Sequence, residues 1–116
     1  ISRHIQVPEI RSYMTLAAVK DLTDPGHKAP TASDASGRSS QTFVVEVIAR
    51  RGGEERRAIA IGRDIYAFTA PLVVEALARV VGGQVHTPGV LTAGEAFDAR
   101  DFLASLGPEL LSLELR

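Results

Sequence analysis

The sequence predicts an α+β fold in which helices pack on a largely antiparallel sheet. Two apolar runs with period-two alternation flank Gly52-Gly53. A Gly-Gly pair between such runs is typical of a β-hairpin, because both central residues can take positive φ. Apolar residues at helical spacing follow the hairpin as far as Val81, where Gly82-Gly83 ends the pattern. A hairpin followed by an amphipathic helix favours a layer of helices on a sheet.

The composition excludes several classes of protein. The 116 residues suit a single domain and carry a net charge of -1, so we expect no nucleic-acid partner. No apolar run approaches the roughly 18 residues that span a bilayer, so we expect no membrane partner. The absence of cysteine removes disulfide and thiolate chemistry and favours the cytoplasm. Because the chain begins at Ile1, it is expected to be a piece of a longer protein or to lack a few preceding residues.

The first forty residues are expected to hold one strand and one helix. The strand is predicted at Arg3–Val7, before Pro8. Ser12 is placed to cap a helix over Tyr13–Leu22, which Asp24-Pro25-Gly26 would end. Residues 24–40 contain almost no apolar residue larger than alanine, so we expect them to form a mobile loop within the domain.

The remaining elements are a hairpin, two helices and a final strand. The predicted elements are the hairpin strands Gln41–Arg51 and Glu54–Gly62, a helix from an N-cap at Thr69 to Val81, a short helix from an N-cap at Asp98 to about Leu106, and a strand at Leu110–Leu115. Pro71 would then lie in the first turn of its helix, where a missing N–H costs nothing.

The segment Arg63 to Thr69 is the main candidate for ligand binding, because it joins a strand end to a helix start. A helix N-terminus attracts carboxylate or phosphate, Arg63 could clamp a carboxylate, and Tyr66 could donate a hydrogen bond. A structural role is the alternative: Thr69 as a cap, Tyr66 and Phe68 as core-edge aromatics, and Arg63–Asp64 as a solvated pair.

The other polar residues are weaker candidates for a binding or catalytic site. Arg11 follows the first predicted strand and could bind a substrate, although a surface position explains it more simply. His86 could line a cleft or lie exposed in its loop. Capping explains the carboxylates of a short helical region, namely Glu95, Asp98 and Asp101. The three histidines lack metal-ligand spacing and no G-x-G-x-x-G is present, so we expect neither a metal nor a cofactor in this chain.

The order of residues from Ile65 to Leu106 resembles the carboxy-terminal region of the saccharopine dehydrogenase-like family. Tyr66-Ala67-Phe68-Thr69-Ala70-Pro71 leads into an apolar helix that ends at Gly82-Gly83. The turn Thr87-Pro88-Gly89-Val90-Leu91 and a short helix follow. The hairpin from Phe43 to Gly62 resembles the sheet that carries that helix in the family. Ala70 departs from the pattern, since the family often has glycine there.

The resemblance implies a carboxy-terminal substrate and dimerisation domain of an NAD(P)-dependent oxidoreductase. The parent protein would act on a carbon–nitrogen bond of an amino-acid-like substrate, and its amino-terminal Rossmann domain would bind NAD(P). Tyr66, Thr69 and the turn Thr87–Gly89 match positions that line the cleft. The expected partners are the Rossmann domain, the substrate and a second copy in a homodimer. The piece alone is expected to be inactive. The alternative is a stand-alone α+β ligand-binding or protein-interaction module.

Overall fold

The computed structural model describes residues 5–26, 28 and 30–116, and the chain divides at Pro30 into two units that are described separately. The first unit contains helix α1 (Leu16–Thr23). The hydroxyl of Thr15 caps this helix by accepting a hydrogen bond from the Ala18 N–H at 3.2 Å. The predicted cap at Ser12 is therefore wrong, because Thr15 satisfies the free N–H of the first turn.

The strand predicted at Arg3–Val7 is not present where it can be assessed. Arg3 and His4 lie outside the described residues, and residues 5–7 are exposed and form no strand. Alternating side chains alone do not make a strand, which needs a partner for its backbone hydrogen bonds. No described strand pairs with these residues.

The second unit is built on a three-stranded antiparallel sheet with the strand order β1-β2-β3. Its strands are β1 (Thr42–Arg51), β2 (Glu54–Arg63) and β3 (Leu111–Leu115). The turn residues Gly52 and Gly53 have φ values of 56° and 86°, as a type I′ hairpin turn requires. The predicted hairpin, the final strand and the α+β class are confirmed.

One face of the sheet holds the core at the end where β2 leaves it. Phe43, Gly62 and Leu111 lie opposite one another across the three strands. A side chain at position 62 would collide with the ring of Phe43, so this glycine lets the ring lie across the sheet. The ring of Phe68 packs on Phe43 with centroids 5.4 Å apart. Leu106 and Leu111 complete the buried cluster.

Helix α2 (Ile65–Val81) begins earlier than the sequence predicts. Its N-cap is Asp64, in the left-handed region with φ 55°, whose carboxylate accepts a hydrogen bond from the Ala67 N–H at 3.0 Å. The predicted cap, Thr69, instead lies inside the helix and donates its hydroxyl to the Ile65 carbonyl. Pro71 is also inside the helix, beyond the first turn where proline costs nothing.

Two short helices return the chain to the sheet. Helix α3 (Ala93–Ala96) was not predicted and begins at Thr92, whose N–H and hydroxyl both donate to Glu95 at 2.8 Å. Helix α4 (Ala99–Ser105) begins at Asp98, as predicted. Within the described part of the chain, no helix has both the length and the apolar character needed to cross a membrane.

Residues 31–40 contain no helix or strand, but they are not free of local structure. The Ser33 N–H donates to the Arg38 carbonyl at 2.8 Å, which closes a turn. The Asp34 carboxylate accepts a hydrogen bond from the Ser36 N–H inside that turn. His27 and Ala29, in the predicted loop 24–40, lie outside the described residues. The mobility of the loop stays a prediction.

We expect Phe68→Ala to destabilise the second unit by about 3–5 kcal/mol, because it removes the central ring of a small core. The control is Val74→Ala on the exposed side of the same helix, which should change stability by about 0.5 kcal/mol or less. Urea unfolding followed by circular dichroism measures both. Equal effects of the two substitutions would contradict the position of the core.

Candidate functional site

The junction between β2 and α2 is organised by the carboxylate of Asp64, which is only 6% exposed. One oxygen accepts the Ala67 N–H at 3.0 Å and the other accepts the Ser39 N–H at 2.7 Å. These two backbone donors, first that of Ser39, hold the pKa of Asp64 below its ordinary value. The N-terminus of α2 is thus occupied by a carboxylate of its own chain rather than open to an anion.

Arg63 precedes this cap and is held by the turn at residues 33–38. Its Nη2 donates to Asp34 at 2.6 Å and to the Ser36 hydroxyl at 3.1 Å. The hydrogen bond from Ser36, followed by that from Arg63, lowers the pKa of Asp34 to about 2. Arg63 therefore pairs with Asp34, not with its neighbour Asp64 as the structural alternative assumed. Its side chain remains 40% exposed and can still reach a ligand.

Tyr66 and Thr69 lie on the first turns of α2, on the side that faces away from the core. The ring of Tyr66 is 63% exposed, so it is not a core-edge aromatic, whereas Phe68 is part of the core. Thr69 is exposed and its hydroxyl donates to the helix backbone at 2.9 Å. Its oxygen can still accept a hydrogen bond from a ligand.

A concavity lies at the other end of α2. It is an open groove of about 440 Å³ between the end of α2, the Thr87–Gly89 turn and α3. Val80, Leu91 and Phe97 supply most of its apolar lining, and Thr87 contributes a hydroxyl. The neighbouring His86 is exposed. The groove could hold an apolar group with one polar contact, which suits binding rather than proton transfer.

The structure brings some of the predicted site residues together and separates others. Arg63, Tyr66 and Thr69 share the amino-terminal end of α2. Thr87 lies beside its carboxy-terminal end, roughly 20 Å away at 1.5 Å per helical residue. Arg11 belongs to the first unit, where it pairs with Glu9 at 2.7 Å and is exposed.

Sequence reasoning missed two groups of polar contacts. The partner of Arg63 lies 29 residues away in sequence, and only the turn-forming pattern Asp34-Ala35-Ser36-Gly37 hinted at order there. Arg79 is 12% exposed, pairs with Glu75 at 2.7 Å and Asp101 at 2.5 Å, and lies over the ring of Phe102. The Glu75–Arg79 spacing was evident, but Asp101 was not expected to join it.

The pKa shifts of the paired carboxylates and arginines favour groups that stay charged over groups that exchange protons. Ion pairing and hydrogen bonding lower the pKa of Asp34, Glu46 and Glu75 and raise the pKa of Arg57 and Arg79. Each shift moves the group away from neutrality, where a general acid or base works best. Among the residues that the structure describes, no three His, Cys, Asp or Glu side chains are grouped to hold a metal ion.

Comparison with models of protein families, with curated proteins and with solved structures finds no match to this chain. The geometry of the two regions along α2 is therefore the main guide to function.

We expect the second unit to lose stability as the pH falls from about 4 to 2. The fold lowers the pKa of Asp34 from 3.8 to about 2. The ionised carboxylate therefore stabilises the folded state fully above its ordinary pKa of 3.8, and this stabilisation is lost as Asp34 is protonated at lower pH. Asp34→Asn should make the free energy of unfolding fall less steeply over this pH range (the acid limb), as measured by urea unfolding at a series of pH values. The control is Glu54→Gln at the hairpin turn, at the opposite end of β2 from Arg63. An unchanged limb in Asp34→Asn would contradict the ion pair with Arg63.

Proposed function

We propose that this chain is the carboxy-terminal domain of a saccharopine dehydrogenase-like, NAD(P)-dependent oxidoreductase. In the parent protein it supplies substrate contacts, a dimer interface and a surface for the amino-terminal Rossmann domain. The parent reaction is hydride transfer between nicotinamide and a carbon–nitrogen bond of a small amino-acid-like substrate in the cytoplasm. The cofactor belongs to the Rossmann domain, and the chain alone is inactive.

The order of elements supports the proposal. The hairpin leads directly into α2, the Gly82-Gly83 pair ends that helix, and the Thr87–Leu91 turn connects it to α3 and α4. This is the arrangement of hairpin, apolar helix, turn and short helix on which the family resemblance rests. The added helix α3 lies between the turn and α4 and leaves that order intact.

The observation that carries the proposal is an exposed apolar stripe on the outer side of α2. The side that faces the core contains Phe68 and Leu72 but also the charged pair Glu75 and Arg79. The opposite side, which lies about 200° around the helix, is an apolar stripe. The stripe consists of Tyr66, Ala70, Val73, Leu77 and Val80.

Water is a poor partner for such a stripe. Leu77 is 59% exposed, and the other large residues of the stripe are more than half exposed. A contiguous exposed apolar surface is typical of an interface with another protein surface. A preceding domain of the same polypeptide provides such a cover, and the proposed Rossmann domain is that cover.

The substrate contacts are proposed at the amino-terminal end of the stripe. Arg63 would exchange part of its contact with Asp34 for a substrate carboxylate, as a planar guanidinium can bind two oxygens at once. Tyr66 would donate its hydroxyl to the same ligand and Thr69 would accept from it. Thr87 lines its own groove and would contact a more distant part of the substrate. The role of Arg11 stays a prediction.

The decisive test is the gene and the protein that it encodes. We expect the reading frame upstream of Ile1 to encode a strand, a G-x-G-x-x-G segment and a helix. We also expect the full-length protein to reduce NAD(P)⁺ with an amino-acid adduct, measured by nicotinamide absorbance. Arg63→Lys should raise KM roughly tenfold or more with little change in kcat, because lysine cannot bind a carboxylate bidentately.

The 116-residue chain is the control in this test and should bind no NAD(P)H in a fluorescence titration, since it lacks the glycine-rich phosphate cradle. Micromolar binding by the chain would contradict the assignment of NAD(P) binding to the Rossmann domain. A reading frame that begins near Ile1 would contradict the proposal as a whole and support a stand-alone binding module.

Leu77→Asp tests the interface on α2. In the 116-residue chain we expect stability to change by less than about 1 kcal/mol, because the side chain lies outside the core. In the full-length protein the same substitution places a charge in the domain interface and should lower the melting temperature by several degrees. Arg100→Asp, on the exposed surface of α4, is the matched control. Equal effects of Leu77→Asp in both proteins would argue against a covered stripe.

A further inference from the structure

The free edge of β1 is a second surface that needs a partner. β1 has ten residues and, among the strands that the structure describes, pairs only with β2. The other edge strand, β3, has only five residues. A long edge strand without proline exposes a row of backbone donors and acceptors that can pair with another chain. β1 contains no proline, and Val47 in its middle is 55% exposed.

The hydrogen bonds of the sheet define which residues face this free edge. Arg57 of β2 and Arg116 exchange backbone hydrogen bonds at 2.9 and 2.8 Å, so the odd-numbered residues of β2 bond toward β3. The even-numbered residues of β2 therefore bond toward β1, and Ala58 does so with Val47. It follows that the even-numbered residues of β1 direct their N–H and C=O groups outward. These residues are Thr42, Val44, Glu46, Ile48 and Arg50.

The charges on the outward-bonding residues match those of a second, antiparallel copy of β1. Glu46 and Arg50 are placed symmetrically about Ile48, and all three side chains lie on the sheet face away from the core. An antiparallel copy of β1 with its two-fold axis at Ile48 therefore places each Glu46 directly opposite an Arg50. An axis at Glu46 would place two glutamates opposite each other, and an axis at Val47 would place Glu46 opposite isoleucine. Only the axis at Ile48 pairs both charges.

The existing ion pairs extend across this junction. Within one chain Glu46 pairs with Arg57, and Arg50 pairs with Glu55 at 2.8 Å. A carboxylate can accept several hydrogen bonds, so Glu46 can keep Arg57 and add Arg50 of the second copy. The result is a row of alternating charges over both hairpins. On the other face, Val47 lies opposite Ala49 of the second copy, which adds an apolar contact at the exposed end of the sheet.

We propose that two copies of this chain pair antiparallel through β1, with Ile48 on the two-fold axis, to form a six-stranded sheet. A homodimer is already part of the proposed function; what is new here is its edge and its register, and these rest on β1 alone, so they can fail without the parent activity failing. About six backbone hydrogen bonds form across the junction. A strand pair buries less than the roughly 1,600 Å² of a standard interface. Association is therefore concentration-dependent and in the micromolar range.

Two charge reversals test the pairing and its register. Glu46→Arg alone puts two arginines opposite each other at both ends of the junction, and Arg50→Glu alone puts two glutamates there. For each variant the Kd of self-association should be at least roughly tenfold higher than for the wild-type chain. An equimolar mixture restores opposite charges at both positions, so it should form a one-to-one heterodimer. Sedimentation velocity measures the association, and native mass spectrometry identifies the heterodimer.

The mixture separates pairing from damage to the fold. Each variant lacks one ion pair of its own chain, Glu46–Arg57 in the first and Arg50–Glu55 in the second, and the mixture does not restore it. Recovery in the mixture can therefore come only from contact between chains. Glu114→Arg, on β3 and the same sheet face, is the matched control and should leave association unchanged. A wild-type chain that stays monomeric at several hundred micromolar would overturn the proposal, and the edge would then be open to the proposed Rossmann domain or to a foreign strand. Variants that self-associate as the wild type does, or a mixture that does not recover, would overturn it too.

Discussion

The second unit depends on how Asp64 ends β2 and begins α2. Its N–H donates to the Gln41 carbonyl at 2.7 Å beside the start of β1, and its own carbonyl accepts the Phe68 N–H at 2.8 Å in α2. Its carboxylate binds the N–H groups of Ser39 and Ala67. One residue thus connects the segment before β1, the end of β2 and the first turn of α2. The positive φ at a non-glycine residue is the strain that this arrangement requires.

The direction in which Asp64 starts α2 decides which side of the helix meets the sheet. It places Phe68 against Phe43, and the same rotation turns Glu75 and Arg79 inward. Arg79 is accommodated because Glu75, Asp101 and the ring of Phe102 surround it. The apolar residues two positions away are consequently turned outward. The exposed stripe is therefore a consequence of the cap and of the core contact, not an accident of composition.

Local signals predicted the hairpin and the short last helix, while the start of α2 needed the tertiary structure. Gly52-Gly53 and Asp98 act through their own backbone neighbours, so their effects can be inferred from a few residues. Thr69 and Pro71 formed an equally good local start signal for α2. Asp64 prevails over them because its carboxylate also binds Ser39, which lies 25 residues earlier. The partner of Arg63 escaped prediction for the same reason, since Asp34 reaches it only after the chain has folded.

The described residues bury few large apolar side chains, and none of them completely. In the second unit, much of the exposed apolar surface lies on two features, the outer stripe of α2 and the edge strand β1. The two features differ in chemistry. The stripe offers side chains without directional bonds, which suits a broad and permanent domain contact, whereas the edge offers ordered backbone bonds and a charge pattern that selects its own copy. The exposed stripe and the exposed edge therefore both suit contact with another protein surface, each through a different kind of bond.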